Sequence, residues 1–448
     1  MIQTQLITDP VATLRQAIHL RSTSKEPDQQ DECCHYIGKL LENHCDAKVS
    51  YIETGGAPAI LATIKGGSTD SILYYGHYDV MDPGNLEEWD SDPFTLTDRG
   101  GRYYGRGAGD NKGQLLAVIN GLNQFVAEHP KRHQTIQLLI EGEEEQGSIH
   151  LAETIRKLKD TGLAHVKKVI VCDGSMNASG DHVLRLANRG LYGIKLHIHT
   201  AEHANHSGNA GNVLANPVIV FQEVLNRLYD EQSNHVQLPH FYDGVLKPSK
   251  ADLEAIEALP FDAQQAAEVF GGKLLTTAKE EYYTNLMFKP SFNVSGVVSG
   301  YNGEGVKTII PGDLSASINM RLVGHQDPSV IDQEIKVVLK PLIDSGVLSY
   351  EVTGNIPPAT TQATPEELEV FKRASSRAEI PMLIEPCMPG TVPNYVWSDI
   401  LKAQTFTLPL ANFDQNNHSL NENITQAAFD QGIALIAALA TQFEGVCL

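Results

Sequence analysis

The sequence is poor in basic residues. Its 34 Lys and Arg stand against 55 Asp and Glu, which gives a formal net charge of −21 at pH 7. A protein of this charge repels the phosphate backbone of nucleic acids and the headgroups of anionic lipids. We therefore expect neither nucleic acid nor a membrane as a partner.

Cysteine is also scarce, with six residues at positions 33, 34, 45, 172, 387 and 447. The spacing contains no CxxC pair and places two of the cysteines side by side. This is a poor framework for disulfides or for a structural zinc site, so we expect reduced thiols.

Long apolar runs are missing as well. No segment approaches the roughly 20 apolar residues that a membrane helix needs. The N-terminal segment MIQTQLITDPVATLRQAIHL has neither a basic start followed by an apolar run nor a small-residue cleavage site. Together with the expected reduced thiols, these absences favour a cytoplasmic location.

The length of 448 residues exceeds what one hydrophobic core usually organises, so we expect two domains. Strand-like segments alternate with helical patterns, as in βαβ units. The candidate strands are 71–75, 135–140, 168–171 and 405–408, and the candidate helices are 112–129, 148–159 and 422–443, the last capped by Asn421. This pattern predicts an α/β fold in which a mostly parallel sheet carries helices on both faces.

The middle of the chain has a different pattern. Residues 190–199 alternate apolar and polar side chains, which is typical of a strand with one face in water. Further strands are predicted at 292–298 and 314–322, and helices at 217–230 and 329–343. We therefore expect an α+β domain of residues 190–388, inserted into a first domain formed by residues 1–189 and 389–448.

Polar side chains follow the first three predicted strands. His77 and Asp79 come after the first strand, Glu144 and Glu145 after the second, and Asp173 after the third. Each segment alone has an ordinary explanation, such as a loop histidine, a solvated turn or a helix cap. Together they gather at the carboxyl ends of the strands, the edge where open α/β sheets bind ligands. The sequence therefore predicts a functional site there.

A series of motifs in chain order reinforces this hypothesis. The segments are GHYDV at 76–80, GRGAGDNKG at 105–113, EGEEEQGS at 141–148, VCDGS at 171–175, HSGNAGNVLANP at 206–217, IIPGDLSASINMRLV at 309–323 and NNHSLNEN at 416–423. The series resembles that of the M20 family metallopeptidases, which include carnosine dipeptidases, acetylornithine deacetylase and aminoacylase. The resemblance extends over nearly the whole chain, including the inserted domain, which in the family is a lid.

The resemblance implies two divalent metal ions per subunit. The implied ligands are His77, Asp110, Glu145, Asp173 and His418. Asp110 matches the family's bridging carboxylate, so one ion would take His77 and Asp173, and the other Glu145 and His418. Imidazole and carboxylate donors without thiolate suit zinc, with manganese or cobalt as alternatives.

Two further residues are implied in catalysis. Glu144 matches the family's general base, which moves a proton from a water bridging the two ions to the leaving nitrogen. Asp79 lies two residues after His77 and on the same side of an extended segment, where it can accept the second N–H of the imidazole. Proton transfer during the attack of water on the substrate would therefore depend on Glu144. The orientation of the metal ligand His77 would depend on Asp79.

The resemblance also implies a set of substrate contacts: His206, Arg321, Asn293, Gly390 and Thr391. Arg321 matches an arginine that binds a substrate carboxylate, a task suited to a bidentate guanidinium. His206 matches a histidine that the partner subunit's lid contributes to the active site, which implies a homodimer through the inserted domain. The family's Gly-Gly-Ser or Gly-Gly-Thr turn reads Pro389-Gly390-Thr391 here.

The predicted activity is cleavage of the amide bond of a dipeptide, which the segment WDSDPF at 89–94 and the chain length favour. An N-acyl amino acid deacylase of the acetylornithine deacetylase or succinyl-diaminopimelate desuccinylase type is the alternative. A non-catalytic metal-binding protein on the same fold ranks lower, because every core position is present. A nucleotide-binding dehydrogenase is excluded, since the glycines at 105, 107 and 109 miss the GxGxxG spacing.

Overall fold

The computed structural model describes residues 5–445. The longer strands are, in chain order, β1 (Ala47–Ile52), β2 (Ala59–Ile64), β3 (Ser71–His77), β4 (Thr97–Arg99), β5 (Arg102–Tyr104), β6 (Thr135–Glu141), β7 (Val166–Val171), β8 (His182–Arg185), β9 (Gly190–His199), β10 (Ser291–Ser299), β11 (Asp313–Leu322), β12 (Leu348–Ile356), β13 (Met382–Glu385), β14 (Gln404–Thr407) and β15 (Asn423–Thr425).

The longer helices are α1 (Pro10–His19), α2 (Pro27–His44), α3 (Lys112–Glu128), α4 (Leu151–Leu158), α5 (Pro217–Leu228), α6 (Lys250–Ala258), α7 (Ala263–Phe270), α8 (Lys279–Phe288), α9 (Pro328–Asp344), α10 (Pro365–Arg377) and α11 (Gln426–Phe443). Apart from the last helix, each element named in the sequence prediction is present with bounds that agree within three residues. The predicted alternation of strands and helices is therefore confirmed.

The larger sheet contains eight strands in the order β1-β2-β6-β3-β7-β14-β8-β13. Strands β6, β3, β7 and β14 run parallel to one another, and β13 is parallel to β8. Antiparallel pairing is confined to β1 with β2, β2 with β6, and β14 with β8 within this sheet of the described chain. The mostly parallel α/β sheet predicted from the sequence is confirmed.

Both faces of this sheet are buried. In β3, Ile72 and Tyr74 belong to a core that includes α1, α2, α3, α10 and α11, whereas Leu73 and Tyr75 belong to a core with α4 on the opposite face. Successive side chains of a strand point to opposite faces, so β3 is held from both sides and all of it is buried. This packing fixes the carboxyl end of β3, where His77 lies.

The inserted part of the chain forms a second sheet of four antiparallel strands, in the order β10-β11-β9-β12. Alternate residues of β9 and β11, such as Ile194 and Ile318, are buried together with residues of α5 and α9. The other face carries partly exposed polar side chains, including Ser317, Asn319 and Arg321. The alternation of apolar and polar residues predicted strands with one face in water, and this prediction is confirmed.

The C-terminal helix begins later than the sequence predicts. We expected it over 422–443 with Asn421 as its cap, but α11 follows β15 and is capped by Thr425, whose hydroxyl accepts the N–H of Ala428 at 3.0 Å. Asn421 instead accepts the N–H of Asp90 at 3.0 Å. The prediction was wrong because β15 pairs with β5, which keeps this segment extended.

The chain returns to the larger sheet before the expected boundary at residue 388. Helix α10 packs against α11, and β13 pairs with β8 of the larger sheet, although both elements precede residue 388. The last strand of the smaller sheet, β12, ends at Ile356. We therefore propose that the inserted domain ends soon after Ile356, since a domain boundary falls where few contacts cross.

Between residues 5 and 445, no helix combines the length and the apolar character that crossing a bilayer requires. The cysteines at positions 33, 34, 45, 172 and 387 are buried and unpaired, as their spacing predicts. Cys447 lies outside the described residues.

Candidate metal centre

Three adjacent strands bring predicted ligands to one edge of the larger sheet. Strand β3 lies between β6 and β7 and runs parallel to both. It ends at His77, while Glu144 and Glu145 follow β6 in a short 3-10 helix and Asp173 follows β7. Because the carboxyl ends of parallel strands meet at one edge, these residues become neighbours despite their distance in sequence.

The other two predicted ligands come from loops. Asp110 lies just before α3, and His418 lies between β14 and β15. The Asp110 carboxylate is placed between two imidazoles, with Oδ1 3.2 Å from His77 Nε2 and Oδ2 3.1 Å from His418 Nε2. This is the placement that a ligand shared by two ions requires.

Two groups of three side chains within the described chain have the geometry to hold a cation. The first is His77, Asp110 and Asp173, and the second is Asp110, Glu145 and His418, with the ligand atoms of each group within 4.8 Å of one another. Asp110 is common to both groups. The structure thus brings the five predicted ligands together in the pairing that the resemblance implies.

The second group contains a buried carboxylate that faces the His418 imidazole. The Glu145 side chain is 5% exposed, and His418 Nε2 lies 3.0 Å from its Oε2. Neither carboxylate oxygen has a hydrogen-bond partner of good geometry among residues 5–445. A buried carboxylate is costly unless a positive charge compensates its own, and in the metal-free protein the imidazole of His418 faces it. A divalent ion held by Glu145, Asp110 and His418 fits this requirement.

Two neighbouring carboxyl groups have raised pKa values. Burial and repulsion by nearby carboxylates, opposed by His77, raise the pKa of Glu144 to about 9. Burial and repulsion from Asp110 raise the pKa of Asp173 to about 6. The side chains alone therefore leave negative charge uncompensated at this edge of the sheet. Two divalent cations would supply the missing positive charge and favour the ionised carboxylates.

The two imidazoles show the complementary effect. Burial disfavours the charged form of His77, yet hydrogen bonds to Asp110 and Asp79 raise its pKa well above the ordinary value. Contacts with Asp110 and Glu145 raise the pKa of His418 to about 10. In the metal-free protein, the surrounding carboxylates therefore favour the protonated form of both imidazoles. An imidazole must lose that proton to bind a metal, so cation binding is coupled to deprotonation.

Asp79 contacts both His77 and the glutamate turn. Its Oδ1 lies 3.3 Å from His77 Nδ1, and its backbone carbonyl accepts a hydrogen bond from that nitrogen at 3.1 Å. Its carboxylate also accepts the N–H groups of Glu144 and Glu145, at 3.2 and 3.0 Å. The expected proximity to His77 is present, whereas the two bonds to the turn were not foreseen. Asp79 thus holds His77 in place relative to both glutamates.

Asn111 is a residue that the sequence reasoning missed. Its Oδ1 accepts the backbone N–H of His77 at 3.3 Å, and its Nδ2 donates to the Cys172 carbonyl at 2.9 Å and to Asp173 Oδ1 at 3.1 Å. One buried amide therefore ties the ends of β3 and β7 together beside Asp110. Its place inside the GRGAGDNKG motif was the available signal, but the motif alone does not identify the hydrogen-bond partners of Asn111.

Glu422 was also missed, because we assigned it to the start of a helix. Its side chain is fully buried and contacts the loop that carries Asp110. The available signal was its position in the same NNHSLNEN motif as His418.

The predicted substrate residues lie in two places. Arg321 Nη1 donates to Thr391 Oγ1 at 2.5 Å, which joins the smaller sheet to the bend that contains Gly390. Asn293 lies exposed on β10, two residues beyond Ser291, which faces Arg321 across the strand pair. The structure therefore gathers Arg321, Gly390 and Thr391 and leaves Asn293 on the adjoining strand. Their roles in binding stay predictions.

His206 is exposed on the inserted domain and belongs to neither ligand group. Its Nδ1 accepts the N–H of Gly208 at 3.0 Å, and its Nε2 lies 3.3 Å from Thr308 Oγ1. Both contacts are local to the inserted domain. A contribution of His206 to a partner's active site stays a prediction.

Comparison with known proteins gives an independent observation. The model of peptidase family M20/M25/M40 matches residues 73–442, a span that contains every ligand position described above. The chain belongs to peptidase family M20. It is therefore a metal-dependent peptidase, as its motifs predict.

This M20 peptidase has relatives that are named as dipeptidases. The Beta-Ala-His dipeptidase of Rattus norvegicus is 29% identical over 393 residues, which are 85% of this chain and 79% of the relative. The Cys-Gly metallodipeptidase of Saccharomyces cerevisiae is 26% identical over 383 residues, which are 83% of this chain and 79% of the relative.

A solved structure resembles the M20 peptidase along its whole length. The M20 family metallo-carboxypeptidase of Sulfolobus solfataricus superposes with a TM-score of 0.85 at 26% sequence identity, covering 98% of this chain and 100% of that one. The agreement includes the inserted part of the chain, so the arrangement of both sheets is that of the family.

The adjacent glutamates give the first testable prediction. Glu144→Gln should lower kcat by about 100- to 10,000-fold because a proton-transfer group is lost, while metal content stays near wild type. Glu145→Gln should lower occupancy of the Asp110 and His418 site. Elemental analysis and steady-state kinetics on the two isosteric variants measure both effects. An exchange of the two phenotypes would place the ligand one residue earlier.

A second prediction concerns the protons that are released when the chain binds metal. In the metal-free protein, hydrogen bonds to carboxylates raise the pKa of His77 well above its ordinary value and that of His418 to about 10, and burial raises the pKa of Glu144 to about 9. Cations favour the deprotonated forms of all three groups. Metal binding at pH 7 should therefore release at least about two protons per chain and tighten as pH rises. Calorimetric titration with Zn²⁺ in buffers of different ionisation enthalpy measures the release. Binding without proton release would contradict the assignment of the two histidines as ligands.

Proposed function

We propose that the chain is a dipeptidase that hydrolyses the amide bond between two residues with the aid of two divalent ions. The observation that carries this proposal is the pair of ligand groups that share Asp110, with Glu144 beside them and outside both. Dipeptides are the substrates that the names of the mammalian and yeast relatives specify. The first ion would be held by His77 and Asp173, and the second by Glu145 and His418.

Glu144 is the proposed proton-transfer group. Its Oε2 lies 3.9 Å from His77 Nε2, and its side chain is 23% exposed, whereas that of Glu145 is 5% exposed. When bound, the two ions polarise the peptide carbonyl and lower the pKa of an attacking water. Glu144 accepts the proton of that water as the C–O bond forms, and delivers it to the nitrogen as the C–N bond breaks.

Arg321 is the proposed anchor for the substrate carboxylate. Its hydrogen bond to Thr391 holds one edge of the guanidinium, which leaves other N–H groups for a bidentate contact. Asn293 and Gly390 flank this position on the neighbouring strand and bend. His206 is proposed to stabilise the oxyanion in the active site of a partner subunit.

Zinc is the proposed metal, with manganese or cobalt as alternatives. The donor set contains two imidazoles and three carboxylates, and none of its members is a thiolate. Such donors suit these ions in catalytic sites. A homodimer formed through the inserted domain, and a cytoplasmic location, stay predictions from the sequence.

The substrate class can be tested directly with the metal-loaded protein. Dipeptides, including β-Ala-His and Cys-Gly, should be hydrolysed, whereas N-acetyl and N-succinyl amino acids should be hydrolysed far more slowly. Amine release measured over both panels checks this, with the Glu144→Gln protein as the blank. Preferential turnover of the N-acyl panel would identify a deacylase, and metal binding without any turnover would identify a binding protein.

Recognition of the substrate carboxylate by Arg321 can be tested in the same assay, with an amidated dipeptide as the matched control. A dipeptide with an amidated C-terminus should lose about 10- to 100-fold in kcat/KM, because a charged hydrogen bond is lost. Arg321→Met should impose a similar loss on the free dipeptide and little further loss on the amidated one. Equal sensitivity of both substrates to Arg321→Met would remove Arg321 from the carboxylate site.

A contribution of His206 across a dimer predicts complementation. His206→Ala and Glu144→Ala proteins should each be nearly inactive, and mixing them under subunit exchange should restore activity. In a heterodimer, one site would combine an intact Glu144 with the partner's intact His206, while the other would lack both groups. Heterodimers that form without regaining activity would place His206 in its own subunit's site or outside catalysis.

A further inference from the structure

Glu422 forms a buried link between the two loops that carry Asp110 and His418. The side chains of Glu422 and Arg106 are 1% and 2% exposed. Glu422 Oε1 accepts the backbone N–H groups of Gly109 and Asp110 at 2.9 and 2.8 Å. Its Oε2 accepts a hydrogen bond from Arg106 Nη1 at 2.6 Å. One carboxylate thus holds the backbone of the shared ligand.

The same residue belongs to the loop that carries His418. That loop is closed at its base by a hydrogen bond from the N–H of Asn423 to the carbonyl of Gln415 at 2.8 Å. The Glu422 carbonyl accepts the N–H of Gly105 at 3.0 Å, so the backbone and the side chain of Glu422 both bind the Asp110 loop. Any shift of Glu422 would therefore move the two loops relative to each other.

The two loops also touch closely. A Cβ atom on Gly109 would lie 2.0 Å from Gln415 Oε1, so no larger residue fits there without displacement. Asn417 Nδ2 lies 3.4 Å from Asp110 Oδ2, the oxygen that faces His418. These contacts and the hydrogen bonds of Glu422 thus join the loop of Asp110 to the loop of His418.

We propose that Glu422 is a positioning residue that sets the separation of Asp110 and His418 and so determines the affinity of the second metal site. The acting group is its Oε1, which holds the N–H groups of Gly109 and Asp110. The proposal rests on the proposed metal ligands and adds to them a residue that touches neither metal nor substrate. Removing this acceptor should weaken binding of the second ion by about 10- to 100-fold, as removal of other residues that orient metal ligands does.

The competing explanation is that Glu422 only neutralises Arg106 within the core. Removing one member of a buried ion pair is strongly destabilising, whereas replacing both by apolar residues of similar volume is often neutral. A test must therefore remove the charge of both residues and vary only the hydrogen-bond acceptor.

Two double variants meet this condition. Glu422→Gln with Arg106→Met keeps an amide oxygen for the two N–H groups, while Glu422→Met with Arg106→Met fills the same volume without an acceptor. Each would be titrated with Zn²⁺ by calorimetry. Anomalous diffraction from crystals at limiting Zn²⁺ would give the occupancy of each site. Urea unfolding of the metal-free proteins would report stability separately.

The Gln variant should bind both ions much as wild type does. The Met variant should lose affinity at the Asp110, Glu145 and His418 site by the stated factor, with a smaller loss at the site of His77 and Asp173. Equal second-site affinity in the two variants would overturn the proposal and leave Glu422 as a core ion pair. If wild type itself failed to bind two ions, the proposed function would fail and this inference with it, whereas equal second-site affinity in the two variants would overturn this inference alone.

A shorter carboxylate provides a second variant in case the Met protein does not fold. Glu422→Asp keeps the charge opposite Arg106 and shortens the reach to Gly109 and Asp110. It should lower second-site occupancy more than first-site occupancy. Unchanged occupancy of both sites in a folded Glu422→Asp protein would also overturn the proposal.

Discussion

The compensation of buried negative charge is the constraint on which this site depends. Three carboxylates and Glu144 converge on one edge of a sheet whose two faces are buried, and only two imidazoles lie among the six groups of that cluster. Water solvates carboxylates far better than a protein interior does, so such a cluster is stable only with cations or protons. The raised pKa of Glu144 has this cause.

Much of this arrangement could be predicted from the sequence, because parallel strand pairing places the residues that follow neighbouring strands close together. Apolar runs of strand length identify β3, β6 and β7, and parallel pairing necessarily brings the residues that follow them to one edge. The positions of His77, Asp173 and the glutamate run at this edge follow from that pattern, whereas the choice of Glu145 as the ligand within the run came from the motif resemblance. Asp110 and His418 come from loops, whose paths periodicity does not encode, and only the motif resemblance identified them.

The features that were not predicted are those in which side chains bind distant backbone. Asn111 and Glu422 each satisfy main-chain groups of other loops, and no local pattern identifies such partners. The same limit explains the wrong start of the last helix. The segment around Asn421 has helical neighbours in sequence, but its hydrogen bonds go to β5 and to the Asp110 loop, so tertiary contacts override local propensity.

One ligand of the centre comes from the part of the chain that follows the inserted domain. His77, Asp110 and Asp173 all precede the inserted domain, whereas His418 and its loop follow it. During synthesis the shared carboxylate therefore waits for its second imidazole, and for the Glu422 acceptor that holds its backbone, until about 245 residues after Asp173 have been added. At the synthesis rates of cells this is a delay of about 10 to 50 seconds.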